Sequence, residues 1–165
     1  MKLEDLKEDV LNYKNTLKNI NQKRKLWHTE TKALILNTLK SITKTYELDW
    51  DIEIMESTRN LEGINLTLGN SISSTYSEDE KGKKRYAKTG GNLVFSQAYN
   101  GDVFIIFMTP SIDNFNIPQD PQKIIGKVNP AKINEEFIIL HISQFLIELA
   151  DWESLMSSHI IGFKA

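Results

Sequence analysis

Asn92-Leu93-Val94-Phe95-Ser96-Gln97-Ala98-Tyr99-Asn100-Gly101-Asp102-Val103-Phe104-Ile105-Ile106-Phe107-Met108-Thr109-Pro110 is the stretch that decides the fold. Asn100-Gly101 stands between two runs rich in β-branched and aromatic residues, and both members of that pair tolerate the positive φ of a type I′ turn. A two-residue turn sets Tyr99 opposite Asp102 and Leu93 opposite Met108. Opposed residues share a face of the sheet. One face is then expected to carry Leu93, Phe95, Gln97, Tyr99, Phe104, Ile106 and Met108. The other carries Val94, Ser96, Ala98, Val103, Ile105 and Phe107. Both are largely apolar, so the hairpin is expected to be covered on both sides. Ser96 and Ala98 are small and leave room for a close helix or a shallow groove. Pro110 has no N–H to give a ladder and ends the strand.

Upstream, the apolar period is two. Leu48, Trp50, Ile52 and Ile54 alternate with Asp49, Asp51 and Glu53, then Ile64, Leu66 and Leu68 alternate with Asn65 and Thr67. Two half-buried strands are expected, joined by a turn at Asn60–Gly63. The polar stretch from Gly69 to Gly91 reads in two ways. It is either an open loop, or a two-stranded arm turning near Glu80-Lys81-Gly82, with Asn70 opposite Gly91 and a bend where Gly69 and Gly90 stand level.

Before residue 47 the period is helical. Leu3, Leu6, Val10, Tyr13, Leu17 and Ile20 alternate spacings of three and four, a narrow heptad stripe suited to sealing one helix against another. Leu34, Ile35, Leu39, Ile42 and Tyr46 make a second helical pattern. A helical hairpin over residues 1–46 is expected, with a break between 21 and 29; a single helix bent there is the alternative. Downstream, the prolines at 110, 118, 121 and 130 all fall in residues 110–130, and 111–130 is expected to be a loop with one helical turn at 121–125 between Asp120-Pro121 and Gly126. Asn129-Pro130 repeats the start signal and opens a helix over 131–158. Its stripe of Ile138, Ile142, Phe145, Leu149, Trp152 and Met156 is widened by Ile139, Leu146 and Ala150, with Leu140 and Ile147 nearly opposite. A helix apolar over so much of its circumference is buried on more than one side.

Composition bounds the function. The chain has 165 residues, 40% hydrophobic and 25% charged, enough for one domain with a real core. Without cysteine there is no disulfide, thiolate metal site or cysteine nucleophile. No apolar run approaches the roughly 20 residues that span a bilayer, and the charged N-terminus has no signal-peptide pattern, so a cytoplasmic location is expected. The net charge of −2 is uneven: residues 1–45 hold ten Lys/Arg against five Asp/Glu, and the remainder is acidic. That falls short of a nucleic-acid-binding composition, and no membrane association is expected.

The polar constellations have plain explanations. Glu47, Asp49, Asp51 and Glu53 recur at every second position, as hard-cation ligands do on one strand face, but a metal site draws ligands from several elements; these charges guard a strand against edge pairing. His141, Gln144, Glu148 and Asp151 share a side of the last helix, yet His141 and Glu148 are two turns apart and no serine elbow or second nearby histidine completes a triad. Lys81, Lys83, Lys84, Arg85, Tyr86 and Lys88 suit a phosphate backbone, but Glu78, Asp79 and Glu80 cancel much of the field. Lys23-Arg24-Lys25 with Trp27 and His28 reads as a helix corner. Gly90-Gly91 lacks the Lys-Ser/Thr ending of a phosphate loop. His28, His141 and His159 do not make an i, i+4 ligand pair, so no zinc site is expected.

The expected fold is therefore α+β: two N-terminal helices, a four-stranded antiparallel β-meander over 47–110, and a long C-terminal helix packed on the sheet. The expected function is a non-catalytic cytoplasmic protein-interaction module of the adaptor, chaperone or immunity kind, with a protein partner or itself as a homodimer. No catalytic residue, metal or cofactor is expected. The alternative is a small-molecule-binding protein or unusual enzyme whose cleft, between sheet and last helix, is lined by Ser96, Tyr99, His141 and Trp152.

Overall fold

The hairpin forms where expected, with a different turn. In the computed structural model, which describes residues 3–56, 60–113 and 121–159, Gly101 N–H donates to the Ala98 carbonyl at 3.0 Å and Ala98 N–H to the Asp102 carbonyl at 2.7 Å. Three residues, Tyr99, Asn100 and Gly101, make the turn, and Gly101 takes φ +82. The Asn100 side chain folds forward along the chain, its Oδ1 accepting from Asp102 N–H at 3.1 Å. The extra turn residue moves the register by one: Leu93 faces Phe107 and Gln97 faces Val103. A one-residue shift exchanges the faces, so the expected face sets are corrected. Leu93, Phe95, Gln97, Val103, Ile105 and Phe107 lie together and are all buried. On the opposite face Val94 is buried, while Ser96, Phe104, Ile106 and Met108 are only half-buried.

The expected hairpin of N-terminal helices is one continuous rod. Helix α1 (Lys7–Leu26) passes through a π turn (Trp27–Thr31) into α2 (Lys32–Thr45), and Leu26, Trp27, Thr31 and Lys32 all keep right-handed helical backbone angles. No glycine or proline interrupts residues 1–46, so nothing forces the chain to reverse. The rod ends in a Schellman motif: Leu48 N–H reaches the Thr43 carbonyl at 2.9 Å, with Glu47 at φ +53.

Among the described residues the sheet has six strands, not four: β1 (Asp51–Glu56), β2 (Glu62–Thr67), β3 (Asn70–Asp79), β4 (Gly82–Gln97), β5 (Val103–Ile112) and β6 (Gln122–Val128). The order is β1-β2-β4-β5-β6, with β3 also on β4. Strands β2 and β3 succeed each other along the same edge of β4, so the stretch 70–90 is the two-stranded arm. Its bend falls at the expected glycines, with Gly69 at φ +66 and Gly90 and Gly91 at φ +82. Near the tip Tyr76 faces Arg85; an irregularity between Ile72 and Tyr76 then sets Asn70 opposite Thr89 instead of Gly91. Strand β6 replaces the expected helical turn at 121–125; Asp120 and Pro118 lie outside the described residues. The free edge of β5 offers unpaired backbone groups, and Ile124-Ile125 suits a strand, with Gly126 taking up the irregularity opposite Ile105.

The last helix also starts later than expected. Asn129 caps a short 3₁₀ turn (Pro130–Lys132), accepting from Ala131 N–H at 3.0 Å, and Asn134 caps α3 (Glu135–His159), accepting from Phe137 N–H at 2.8 Å. Helices α2 and α3 lie on the same face of the sheet. Ile35 and Leu39 from α2 and Ile138, Ile142, Phe145 and Leu149 from α3 join Ile64, Leu66, Phe95, Ile105 and Phe107 in one core. The expected cover on both sides is therefore corrected: both helices lie on one face, and neither covers the other.

Candidate functional site

The four residues expected to line a cleft do not converge. His141 is buried on α3 with Nδ1 2.8 Å from the Phe137 carbonyl oxygen and its ring against the Phe137 ring at 4.2 Å between centroids. Trp152 is buried roughly 16 Å further along the same helix, at 1.5 Å per residue, with the Lys88 ammonium 5.1 Å from its ring centroid. Lys88 also pairs with Glu153, which ties the arm to α3. Ser96 belongs to the sheet face away from the helices, by its alternation with buried Phe95. Tyr99 is 73% exposed at the hairpin turn. Between sheet and α3 the space is filled, with the rings of Phe107 and Phe145 at 5.4 Å.

The other polar constellations disperse too. Glu148 pairs with Lys123 at 2.7 Å, not with His141. Glu47 sits in the left-handed helix end and Asp49 precedes β1, so the four acidic residues from 47 to 53 do not form one regular strand face. Glu53 accepts from Asn65 Nδ2 at 3.1 Å. On the arm Lys83 stands over the Tyr76 ring at 3.7 Å and faces Glu78 across the strands.

What the sequence did not reveal is the root of the rod. Lys23 Nζ donates to Asp102 Oδ1 at 2.7 Å, Arg24 Nη2 donates to the Tyr99 carbonyl at 2.6 Å, and the Arg24 guanidinium lies 4.9 Å from the Tyr99 ring centroid. A Cβ on Gly101 would come within 3.1 Å of the Ile20 carbonyl and 2.6 Å of the Lys23 Cβ. The basic run read as a helix corner is thus the clamp that fixes the rod to the hairpin turn. The hydrogen bond from Lys23, helped by Asn100 and by the charges of Lys23 and Lys127, outweighs burial and holds the Asp102 carboxyl below its ordinary value.

A second clamp lies at the π turn. Glu62 accepts from Trp27 Nε1 at 3.0 Å and from Lys32 Nζ at 2.9 Å, with His28 Nδ1 3.6 Å away. Burial alone would raise the Glu62 carboxyl; the bonds from Lys32 and Trp27 and the charges of Lys32 and His28 prevail and hold it below its ordinary value. Thr31 Oγ1 donates to the Pro130 carbonyl at 3.4 Å. The π turn therefore places Trp27, His28 and Lys32 around one carboxylate and fills the core with the Trp27 ring, which is fully buried.

Beyond these clamps α1 stands clear. None of its residues is buried. Leu3 is 88% exposed and Tyr13 64%, and Leu6, Val10 and Leu17 are exposed as well. At 1.5 Å per residue, residues 3–19 extend roughly 25 Å past the clamp. A second apolar surface lies between α2 and α3 on the side away from the sheet. It is a groove of about 580 Å³ lined by Ile42, Tyr46, Leu48, Ile139, Leu146, Ile147 and Ala150, among others. The widened apolar stripe of α3 signalled it in the sequence. No family model, no curated protein and no solved structure matches this chain.

Proposed function

We propose that the protein is a non-catalytic interaction module, cytoplasmic and of the adaptor, chaperone or immunity kind, that assembles as a homodimer through α1. The observation that carries this reading is a heptad stripe held in solvent by a helix whose root is doubly clamped. A lone helix of this length is marginal in water; here the clamps and the buried half of the rod hold it in register, so less ordering remains to be done on association. Burying one such side chain completely is worth about 1.5–3 kcal/mol. Six per copy, even half-buried, are comparable to the roughly 4–15 kcal/mol that association costs.

The test is molar mass by light scattering on the intact chain and on Leu6→Glu/Val10→Glu. The expected result is a mass near twice the 19.0 kDa of the chain for the native protein and the single-chain mass for the variant. A native monomer at all accessible concentrations overturns the reading.

The groove between α2 and α3 favours a second reading, a small-molecule-binding protein with an apolar ligand. Its expected signature is saturable binding of an apolar fluorescent dye, abolished by Leu146→Glu. Undiminished dye binding in that variant, or none in the native protein, removes it.

A further inference from the structure

The direction in which the stripe faces limits how two copies can meet. Continued by the same steps of four and three, the stripe from Leu3 to Ile20 runs on through Arg24 to Trp27, from a 3₁₀ turn (Leu3–Leu6) along α1 to the first residue of the π turn. Arg24 holds the Tyr99 carbonyl, and Trp27 is fully buried in the body. The bare stripe therefore faces the body's side of the rod, turning from it by roughly 20° per heptad. A helix seated on it occupies the space in line with the hairpin turn 98–102.

That space is open beside residues 3–19 and closed beyond them. A second copy lying parallel and in register would have to run on, as an unbroken helix, straight into the hairpin turn and the sheet. A second copy lying antiparallel runs outward instead, and its own body falls beyond the N-terminus of the first. The stripe also fits itself in that direction. Antiparallel overlap pairs Leu3 with the second copy's Ile20, Leu6 with its Leu17, and Val10 with its Tyr13. The smallest stripe residue then meets the largest, whereas parallel overlap would stack Tyr13 on Tyr13 and leave Val10 against Val10.

We infer that the dimer forms by antiparallel pairing of α1 with α1 of a second copy, stripe to stripe over residues 3–20, with the two bodies at opposite ends. This rests on the self-association proposed above. It carries an electrostatic mark. One edge of the antiparallel seam sets Lys7 beside the second copy's Lys14, twice by symmetry, and these like charges repel. In a parallel pair Asp9 would instead lie beside the second copy's Lys14 and attract it.

The chain has no cysteine, so single cysteines report orientation cleanly. Leu6→Cys and Leu17→Cys are oxidised separately and as an equimolar mixture, with light scattering on the native chain alongside. Antiparallel pairing gives a covalent dimer in the mixture and none from either variant alone, since like positions lie roughly 16 Å apart. Covalent dimers from each variant alone, with none across the mixture, mean parallel pairing and overturn the inference while the dimer itself stands. A native dimer with no crosslink in any arm places the interface off α1 and also overturns it. A native monomer removes both this inference and the reading beneath it. The second readout is Lys14→Glu together with salt. Antiparallel pairing predicts a dimer that tightens with added salt and a variant that dimerises roughly three- to tenfold more tightly, for two exposed pairs changed from repulsive to attractive. A variant that dimerises more weakly contradicts it.

Discussion

Helices α1 and α2 are two halves of one rod with opposite fates. Both carry apolar side chains at helical spacing, and the face they use runs through the π turn between them. Helix α2 buries Ile35, Thr38 and Leu39, while α1 buries none of its residues. The difference lies in what is opposite. The sheet and α3 end at the hairpin turn, so α2 meets apolar surface and α1 overhangs it. An apolar stripe shows that a helix needs a partner; only the length of the neighbouring elements decides whether the chain supplies one.

Truncating one side chain in each half of the rod separates the two fates. Leu39→Ala, at a fully buried position, is expected to cost about 2–5 kcal/mol in urea unfolding. Leu17→Ala is expected to stay within about 0.5 kcal/mol when measured at concentrations where the protein is a monomer. Equal losses would mean that α1 packs inside its own subunit. The clamps come next. Glu62→Ala leaves Trp27 Nε1 and the Lys32 ammonium unsatisfied at the π turn, and about 1–3 kcal/mol of stability should go with it. Gly101→Ala puts a side chain at φ +82 against Lys23 and the Ile20 carbonyl, with an expected loss of about 1–3 kcal/mol. If the clamps hold the rod, circular dichroism should also show helix loss in both variants.

Acid should act on the same clamps. Glu62 and Asp102 both have lowered carboxyl pKa values. Each contributes stability that is present above the ordinary carboxylate value, near 4, and is lost as pH falls through the lowered folded value. Thermal unfolding between pH 7 and pH 2 should show this decline, and Glu62→Gln with Asp102→Asn should flatten it. An unchanged slope in the double variant would show that the clamps are not titrating. The smallest effect is at the rod's far end. Glu47 holds the left-handed position of the Schellman motif, where an L side chain costs roughly 1–2 kcal/mol. Glu47→Gly relieves that cost but adds entropy to the unfolded chain, so a net gain of about 0.5–1 kcal/mol is expected in the melting profile.

Most of this architecture was legible in the sequence, and the parts that were not share a cause. Alternation marked β1 and β2, Asn100-Gly101 marked the central hairpin, and the glycines at 69, 90 and 91 marked the bend of the arm, because each is a local signal. The turn held three residues because Asn100 caps Asp102 and Gly101 accepts the left-handed position beside the rod; that second contact joins residues 20–24 to 99–102 and has no local trace. Strand β6 was hidden because Pro121 and Gly126 carry helix punctuation as well as strand punctuation, and only the open edge of β5 decides between them. A two-residue turn groups Ser96 with Val103, Ile105 and Phe107, the residues that face the helices. The one-residue shift at the turn moved it to the other face. The root clamp was written as Lys23-Arg24-Lys25 and Asp102, two charged groups that each look solvated until the fold brings them to 2.7 Å.

Hydrogen exchange measured over a range of protein concentrations tests the central contrast most directly. Amides of α2, in residues 32–45, are expected to be protected at every concentration, while those of α1 between 7 and 19 exchange faster than α2 when dilute and gain protection as dimer forms. Protection of α1 equal to that of α2 and independent of concentration would contradict it, because the overhanging helix would then be held within its own subunit.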